Sequence, residues 1–408
     1  MKALCKDFSL SALVAGFIAT VISYAGPLVI IFQAAESAGL SHALVASWVW
    51  AISIGSAVLG IGLSLRYRVP IVIAWSAPGS ALLVSLLPQI SLNEAVGAYI
   101  VANLIILLVG LSGTFDRIIG KVPGAIAAAM LAGILFSFGA QLFLSIDEQP
   151  TLVLAMFATY LLVKRLAPRY AVMVVLLVGT LITLASGQLR QDALVFELAM
   201  PQWISPEFSL AATLNIALPL VLVALTGQFV PGMAVLRAAG YQTPASPIIS
   251  ASALGSLFLA PFACHGLNLA AITAAICTSR EAHEDPRKRY VSAVVGGVVY
   301  LLFGLFGATL VSLFAAFPQA LIASLAGLAL FGAIGSALAN AMGQPADREA
   351  ALITFLVSAS GMSFLGLSAA FWGLLFGIAA HLLLSWHPSP RRAAPSNKPV
   401  DPAAEPKS

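Results

Sequence analysis

Long apolar runs, nearly free of charged residues, are the feature that most constrains this chain. The hydrocarbon core of a bilayer is ~30 Å thick, so a spanning helix needs roughly 20 such residues. The runs lack the alternation of apolar and polar residues that marks the strands of a membrane β-barrel. Only 9% of the residues are charged, whereas an average soluble domain carries about 25%. The sequence therefore predicts an all-α polytopic membrane protein.

About fourteen transmembrane segments can be placed along the chain, with boundaries uncertain by a few residues. The first seven lie at about 9–33, 42–64, 70–87, 93–112, 122–141, 151–165 and 168–186. A more polar connection follows, and the second seven lie at about 209–236, 246–260, 261–279, 290–316, 318–339, 348–362 and 366–386. The tail from His387 is rich in Pro, Ala and charge, so we expect it to be disordered.

The positions of the basic residues test this segment count. If the N-terminus is inside, 19 of the 20 Lys and Arg residues fall in inside loops or tails, and only Arg190 falls outside. Cytoplasmic loops carry such an excess of Lys and Arg. The pattern favours a multi-pass protein of a bacterial inner membrane with both termini in the cytoplasm. It also explains the net charge of +4 without a nucleic-acid partner.

Similar stretches recur in the two halves of the chain in the same order. Residues 23–35 resemble residues 227–239, and the stretch after Pro123 resembles the stretch after Pro318. Seven crossings is an odd number, so the second set must be inverted relative to the first, which is a transporter architecture. We divide the chain into a first repeat, a periplasmic connection, a second repeat and a disordered cytoplasmic tail, at 1–186, 187–207, 208–386 and 387–408.

Segments 3 and 10 are too short in their helical parts to cross a membrane as helices. In Leu259–Thr278 we expect an extended run ending at Phe262 and a helix that begins near Gly266. In Val69–Leu87 we expect a second such unit, half strand and half helix, whose helix starts near Gly79. Each helix start would direct unpaired amides and a positive dipole end toward a cavity. The alternative is an ordinary helix with a proline kink.

Three motifs carry a family resemblance. WSAPGSALL at 75–83, TGQFVPGMAVLR at 226–237 and ACHGLNLAAITAAICTS at 263–279 resemble the benzoate/proton symporter (BenE) family, over about 8–386. The resemblance implies a seven-plus-seven inverted-repeat fold that nucleobase/ascorbate, bicarbonate and sulfate transporters share. It also implies a core domain, at about 9–112 and 209–316, that moves against a gate domain at about 122–186 and 318–386.

The resemblance places the substrate between the two half-helix starts, facing segments 1 and 8. Nucleobase permeases of this fold carry acidic side chains where this chain has Gln228 and His265, which argues against nucleobase transport. The expected substrate-binding positions are Ser23, Tyr24, Ser76, Ala77, Pro78, Gly79, Ser80, Thr226, Gln228, Phe229, His265, Gly266, Leu267 and Asn268.

The polar residues within the segments support an anion site without a buried cation. No Lys or Arg falls at mid-depth, but each helix N-terminus supplies roughly half a positive charge. We expect Tyr24, Phe229 and Phe262 to flank an aromatic ring, with packing against lipid or protein as the alternative. Histidine has a reference pKa near physiological pH, so His265 is the proton-coupling candidate. The alternative is a neutral histidine that shapes the helix start.

These inferences predict a transporter rather than an enzyme, importing benzoate or a related aromatic carboxylate by proton symport and alternating access. The alternatives are a nucleobase or inorganic-anion transporter of the same fold, and an anion channel or a membrane scaffold. The expected partners are the carboxylate, protons and membrane lipid, with no cofactor and no metal. Ala- and Gly-rich faces of segments 5 and 12 allow a homodimer without selecting one.

Overall fold

The computed structural model describes residues 7–115, 117, 123–190 and 194–385. The predicted tail at 387–408 lies outside these residues, as do seven basic residues of the topology prediction: Lys2, Lys6, Lys121, Arg391, Arg392, Lys398 and Lys407.

Helices dominate both halves of the chain. In the first half they are α1 Leu10–Ala25, α2 Pro27–Ser37, α3 His42–Tyr67, α4 Ala77–Leu86, α5 Leu92–Ser112, α6 Gly124–Leu144, α7 Pro150–Leu166 and α8 Ala171–Ala185. In the second half they are α9 Leu210–Ala238, α10 Ala245–Leu259, α11 Ile272–Thr278, α12 Tyr290–Leu305, α13 Gly307–Ala315, α14 Gln319–Met342, α15 Arg348–Ala359 and α16 Ala369–Leu384.

Several of these helices have the length and composition of membrane spans. Within the described ranges, nine helical stretches of at least 18 residues are apolar enough to cross a bilayer. α4 and α16 are shorter apolar helices of 10 and 16 residues. The prediction of a helical polytopic membrane protein is confirmed.

Two of the expected segments are interrupted, and a third contains π-helical turns. The first breaks at Gly26, where Pro27 starts α2, because proline cannot donate the backbone hydrogen bond that a continuous helix needs. The expected segment at 290–316 is also divided, since Phe306 separates α12 from α13. α9 is continuous, but Thr213–Ala217 and Leu225–Phe229 within it are π-helical turns.

Two short strands cross near the middle of the fold. β1, Ile73–Trp75, precedes α4, and β2, Leu267–Leu269, precedes α11. They pair antiparallel, with Ala74 opposite Asn268. A second antiparallel pair, β3 Ser363–Phe364 and β4 Leu367–Ser368, forms a hairpin before α16.

The strand pairing corrects the expected position of the second half-helix. The run that ends at Phe262 is not extended but forms a 3₁₀ turn, and α11 begins at Ile272 rather than near Gly266. The reason is that β1 takes the backbone hydrogen bonds of Leu267–Leu269, so helix can begin only beyond the ladder. α4 begins at Ala77, two residues before the expected Gly79.

The helices pack in two groups. In one group α12 packs against α1 and α3, while α10 packs against α5 and β2. In the other group α6 packs against α14 and α15, α15 against α16, and α7 against α8. The groups meet where α2 contacts α14, where α1 contacts α8 and where α4 contacts α6.

Glycine permits the close approach of α1 to α12. A Cβ added at Gly16 would lie 2.1 Å from the carbonyl oxygen of Ser292. The contacted atom belongs to the backbone, so it cannot rotate away. The packing of α1 on α12 therefore depends on the missing side chain.

Gly16→Ala is expected to reduce the free energy of unfolding by about 1–3 kcal/mol through overpacking. Gly62→Ala is the matched control, because nothing lies within 4 Å of a Cβ at Gly62 in α3. The control is expected to be neutral or stabilising by roughly 0.5–1 kcal/mol, as alanine is the better helix former. Thermal unfolding in detergent measures both, and equal stability of the two variants would contradict the α1–α12 packing.

Candidate functional site

The ends of the β1–β2 ladder are completed by serine side chains. The Ser64 hydroxyl donates to the carbonyl of Ile71 at 3.0 Å and accepts from the Ile71 amide at 3.1 Å. The Leu267 amide donates to the Ser256 hydroxyl at 2.8 Å. Non-helical backbone at membrane depth is tolerated only where protein or a watery cavity satisfies its polar groups. The strand crossing meets this requirement inside the protein.

The start of α4 satisfies most of its own amides. Ser76 caps the helix, since its hydroxyl accepts from the Gly79 amide at 3.0 Å. The Ser80 amide donates to the Ser76 carbonyl at 2.8 Å, and Pro78 has no amide hydrogen. Of the first four amides, only that of Ala77 remains. The amides that we expected to hold an anion are therefore largely occupied at α4.

The start of α11 is open by comparison. Its first residue follows Ala271, which offers no side-chain cap, and the Ala275 amide is the first to bond back into the helix, at 3.0 Å. The amides of Ile272, Thr273 and Ala274 have no acceptor on any described residue outside the helix. Of the two half-helix starts, α11 offers more free donors to an anion.

His265 joins the approach to β2 to the start of α4. Its Nε2 lies 3.1 Å from the Ser80 hydroxyl and 3.2 Å from the Ser76 carbonyl oxygen. On its other side, the Trp48 indole donates to Nδ1 at 3.3 Å. The imidazole is 2% exposed, and the ring of Tyr99 packs edge-on against it. Three separate elements are thus tied together through one side chain.

These partners fix the protonation state of His265. An indole N–H can only donate, so Nδ1 must be an acceptor, and the neutral ring then carries its hydrogen on Nε2. That hydrogen faces two oxygen atoms, which suits the geometry. A second proton on Nδ1 would oppose the Trp48 N–H. The geometry therefore favours the neutral, positioning role over proton binding in this conformation.

α9 lies across the strand crossing at two close approaches. A Cβ at Gly79 would be 3.0 Å from Leu220, and one at Gly232 would be 2.7 Å from Leu269. Between these approaches lies the second π-helical turn, which packs against β2 and α6. π-helical turns within α-helices are frequent at functional sites.

Four of the expected positions and their neighbours around the crossing remain partly accessible. Ala74 and Ala77 are half-buried, as are Thr226 and Gln228 on the π-helical turn. The Thr226 hydroxyl donates to its own helix, to Leu222 at 2.7 Å. The Gln228 amide bonds to no described residue, so it is available to a ligand.

The aromatic residues expected to flank a substrate ring have other partners. The Tyr24 hydroxyl bonds to Ser53, and its ring packs edge-on against Trp75 and Phe303 at 5.3 and 4.9 Å between centroids. Phe229 is completely buried. The geometry favours packing within the protein for these rings.

Phe262 and Ser23 also have local partners. The ring of Phe262 lies 5.7 Å from those of both Trp50 and Trp203. The Ser23 hydroxyl donates to the Ala19 carbonyl of its own helix, at 3.3 Å.

The structure brings together most, though not all, of the expected positions. Hydrogen bonds join Ser76, Ser80 and His265 directly, while Leu267 and Asn268 lie in β2. Gly266 precedes β2 with φ of +155°, a conformation that favours glycine. Tyr24 and Phe229 face the protein interior instead.

Sequence reasoning missed the residues that support the site. Trp48, Ser64 and Ser256 lie in apolar helices and carry no motif. The available signal was chemical, because a buried indole N–H or hydroxyl needs a partner. Among the described residues, no group of three or more His, Cys, Asp or Glu side chains is placed to hold a metal ion.

Comparison with known proteins shows that the chain is similar to one family of membrane proteins over nearly its whole length. A family profile described as "Benzoate membrane transport protein" matches residues 6–383. The chain is 52% identical over 384 residues to "Benzoate membrane transport protein" of Acinetobacter baylyi, covering 94% of this chain and 98% of the relative. It is 45% identical over 373 residues to "Inner membrane protein YdcO" of Escherichia coli, covering 91% of this chain and 95% of that relative.

Solved structures share the fold at low identity. SLC26A9 aligns with a TM-score of 0.60 and 17% identity, covering 93% of this chain. This chain spans 65% of the length of SLC26A9. The transmembrane domain of the cyanobacterial bicarbonate transporter BicA aligns with a TM-score of 0.53 and 15% identity, covering 92% of this chain and 96% of BicA's. At these identities, the similarity concerns the fold alone.

Trp48→Phe is expected to destabilise the protein, because it leaves the buried Nδ1 of His265 without a donor at a cost of about 1–3 kcal/mol. Trp50→Phe is the matched control, since Trp50 packs against Phe262 and its indole bonds to no described residue. Thermal unfolding of both variants measures the difference. Equal losses would show that the hydrogen bond to His265 contributes nothing.

Proposed function

The chain belongs to the benzoate membrane transport family, and from that premise we propose that it imports benzoate, or a related aromatic carboxylate, together with protons. The family consists of membrane transport proteins and not of enzymes. The observation that carries the substrate proposal is the similarity, over nearly the whole length of both proteins, to a protein named for benzoate transport. The site offers a physical basis for it.

In this proposal the carboxylate is held by the open start of α11. The free amides of Ile272, Thr273 and Ala274 and the helix dipole together favour a negative charge there. The Gln228 amide supplies a further donor. The ring then lies on the half-buried surface of Ala74 and Ala77, where small side chains leave room for it.

We propose that the other expected positions support this site without touching the substrate. Ser76, Ser80 and His265 hold the start of α4 against the chain that enters β2. His265 acts as a neutral positioning residue. Removing it would let the two half-helices shift relative to each other, which affects every mode of transport equally.

The proposed architecture comprises fourteen segments in two inverted sets of seven, with the domain boundaries given above. Its support is the antiparallel pairing of two strands that each precede a half-helix, together with the two packing groups of helices. Relative movement of these groups would provide alternating access. The excess of basic residues in alternate loops supports placing both termini in the cytoplasm.

An inorganic-anion transporter of the same fold is the second candidate. The observation in its favour is the fold shared with SLC26A9 and with BicA, which is named for bicarbonate. Helix amides bind anions of several shapes, so the open start of α11 does not exclude it. The two candidates differ in whether the substrate anion carries an aromatic ring.

Purified protein in liposomes is expected to accumulate labelled benzoate when the outside is more acidic, because inward proton flow then drives symport. Unlabelled benzoate should compete, while uracil, sulfate and bicarbonate should not. Protein-free liposomes under the same gradient control for passive entry of the neutral acid.

Competition by sulfate or bicarbonate with none by benzoate would overturn the substrate in favour of the second candidate. Uptake that neither saturates nor shows counterflow would indicate a channel, and the absence of any flux or ligand-induced stabilisation would indicate a scaffold.

His265→Ala is expected to reduce benzoate counterflow and gradient-driven uptake by the same factor, because a positioning residue affects the site itself. His283→Ala, in the loop after α11, is the matched control and should leave both rates unchanged. Preserved counterflow with loss of gradient-driven accumulation would instead assign proton coupling to His265 and contradict its neutral role.

A further inference from the structure

A cavity of about 390 Å³ runs along one face of α11. Its wall is apolar, formed by Ile22 of α1 and by Ile272, Ala275 and Ile276 of α11. At the far end, beyond the C-terminus of α11, it is lined by polar and charged groups: Ser279, Arg280, Glu281 and Arg169. The cavity therefore extends from the start of α11 to the charged residues beyond its C-terminus, which we call the mouth.

The apolar wall is incompletely covered. Ile272, the lining residue nearest in sequence to β2, is 74% exposed. Burying such a side chain against an apolar group gains roughly 25 cal/mol per Å² of surface removed from water. The volume falls in the range of small-molecule pockets, about 300–1,000 Å³. The wall therefore suits a small apolar body such as an aromatic ring.

The mouth of the cavity carries two positively charged side chains and one negatively charged side chain. Arg169, from the turn before α8, forms an ion pair with Glu281, which follows α11. Arg280 forms no ion pair or hydrogen bond with a described residue. With one pair neutralised, the lining of the cavity retains one positive charge, on Arg280.

The loop that presents Arg280 is held in place by a buried arginine. The Arg289 guanidinium, from a residue that is 6% exposed, donates to the carbonyls of Thr278, His283 and Glu284 at 2.8, 2.7 and 3.3 Å. Those bonds fix both ends of the loop around Ser279–Glu281. Arg280 is therefore displayed from an ordered support and not from a free loop.

We propose that this cavity is a second binding site for the aromatic carboxylate, separate from the amides at the start of α11. The ring packs against Ile272 and Ile276, and the carboxylate pairs with Arg280. The second site concentrates substrate at this face of the membrane and passes it along α11 to or from the strand crossing. This inference rests on the proposed transport of aromatic carboxylates.

Equilibrium binding of labelled benzoate to purified protein in nanodiscs of zwitterionic lipid tests the proposal. The parent is expected to bind two molecules per chain, and Arg280→Gln one. Arg280→Lys, which keeps the charge, should retain two. Arg287→Gln is the matched control, because Arg287 belongs to the same loop but pairs with Asp285 and does not line the cavity. It should also retain two.

Transport provides an independent readout. In vesicles sorted by orientation, Arg280→Gln should raise KM about threefold to fivefold for benzoate presented from the cavity side, as expected for one exposed charge contact. KM from the opposite side should remain at the parent value. A variant that misfolds would change both sides together, so the one-sided effect distinguishes the site from a loss of structure.

Unchanged stoichiometry and unchanged one-sided KM in Arg280→Gln would overturn the second site while leaving the proposed function intact. Failure of the parent itself to bind or transport benzoate would instead overturn the proposed function. If anionic lipid abolishes the second benzoate molecule in the parent but not the first, the cavity belongs to a lipid headgroup and the inference fails.

Discussion

Backbone polar groups inside a membrane must find hydrogen-bond partners within the protein, and the rest of this structure depends on how β1 and β2 meet that requirement. The two strands satisfy each other, and serines on two neighbouring helices satisfy the ends of the ladder. Because the strands run antiparallel, the helices that follow them leave the crossing in opposite directions. A break in the membrane-spanning helices thereby becomes a stable element of the fold, and the proposed substrate site lies at the helix starts beside it.

The two half-helices are not equivalent, although each follows a strand of the same ladder. At α4, Ser76 caps the first turn and His265 binds the same carbonyl that starts the helix, so this end is closed and anchored. At α11, no side chain caps the first turn, and the neighbouring cavity gives access to it. The start of α4 is therefore held by hydrogen bonds, while the start of α11 has free amide donors. In the proposed site, the free amides of α11 would take the role that a buried Lys or Arg has in other anion sites.

The sequence allowed the two breaks in segments 3 and 10 to be predicted because their signals are local. Proline and glycine in two short apolar segments marked the breaks, and Gln228 and His265 were identified as polar groups within the predicted segments. The start of α11 was placed about six residues too early, because the pairing of Leu267–Leu269 with β1 joins positions nearly 200 residues apart in the chain. The role of His265 in proton coupling stays a prediction, and the sequence could not show which partners its ring would have. Its protonation state is set by Trp48, a residue in another helix that no pattern connects to it.

The sequence by itself determined that the chain is a helical membrane protein, that two of its segments are broken and to which family it belongs, since these follow from hydropathy and from contiguous motifs. Tertiary structure alone decided which helix start is capped, which aromatic rings are occupied in packing and which arginine lies free at a cavity. The physical reason is that hydrogen bonds and ion pairs require distance and direction. Residues far apart in sequence acquire both only when the chain has folded.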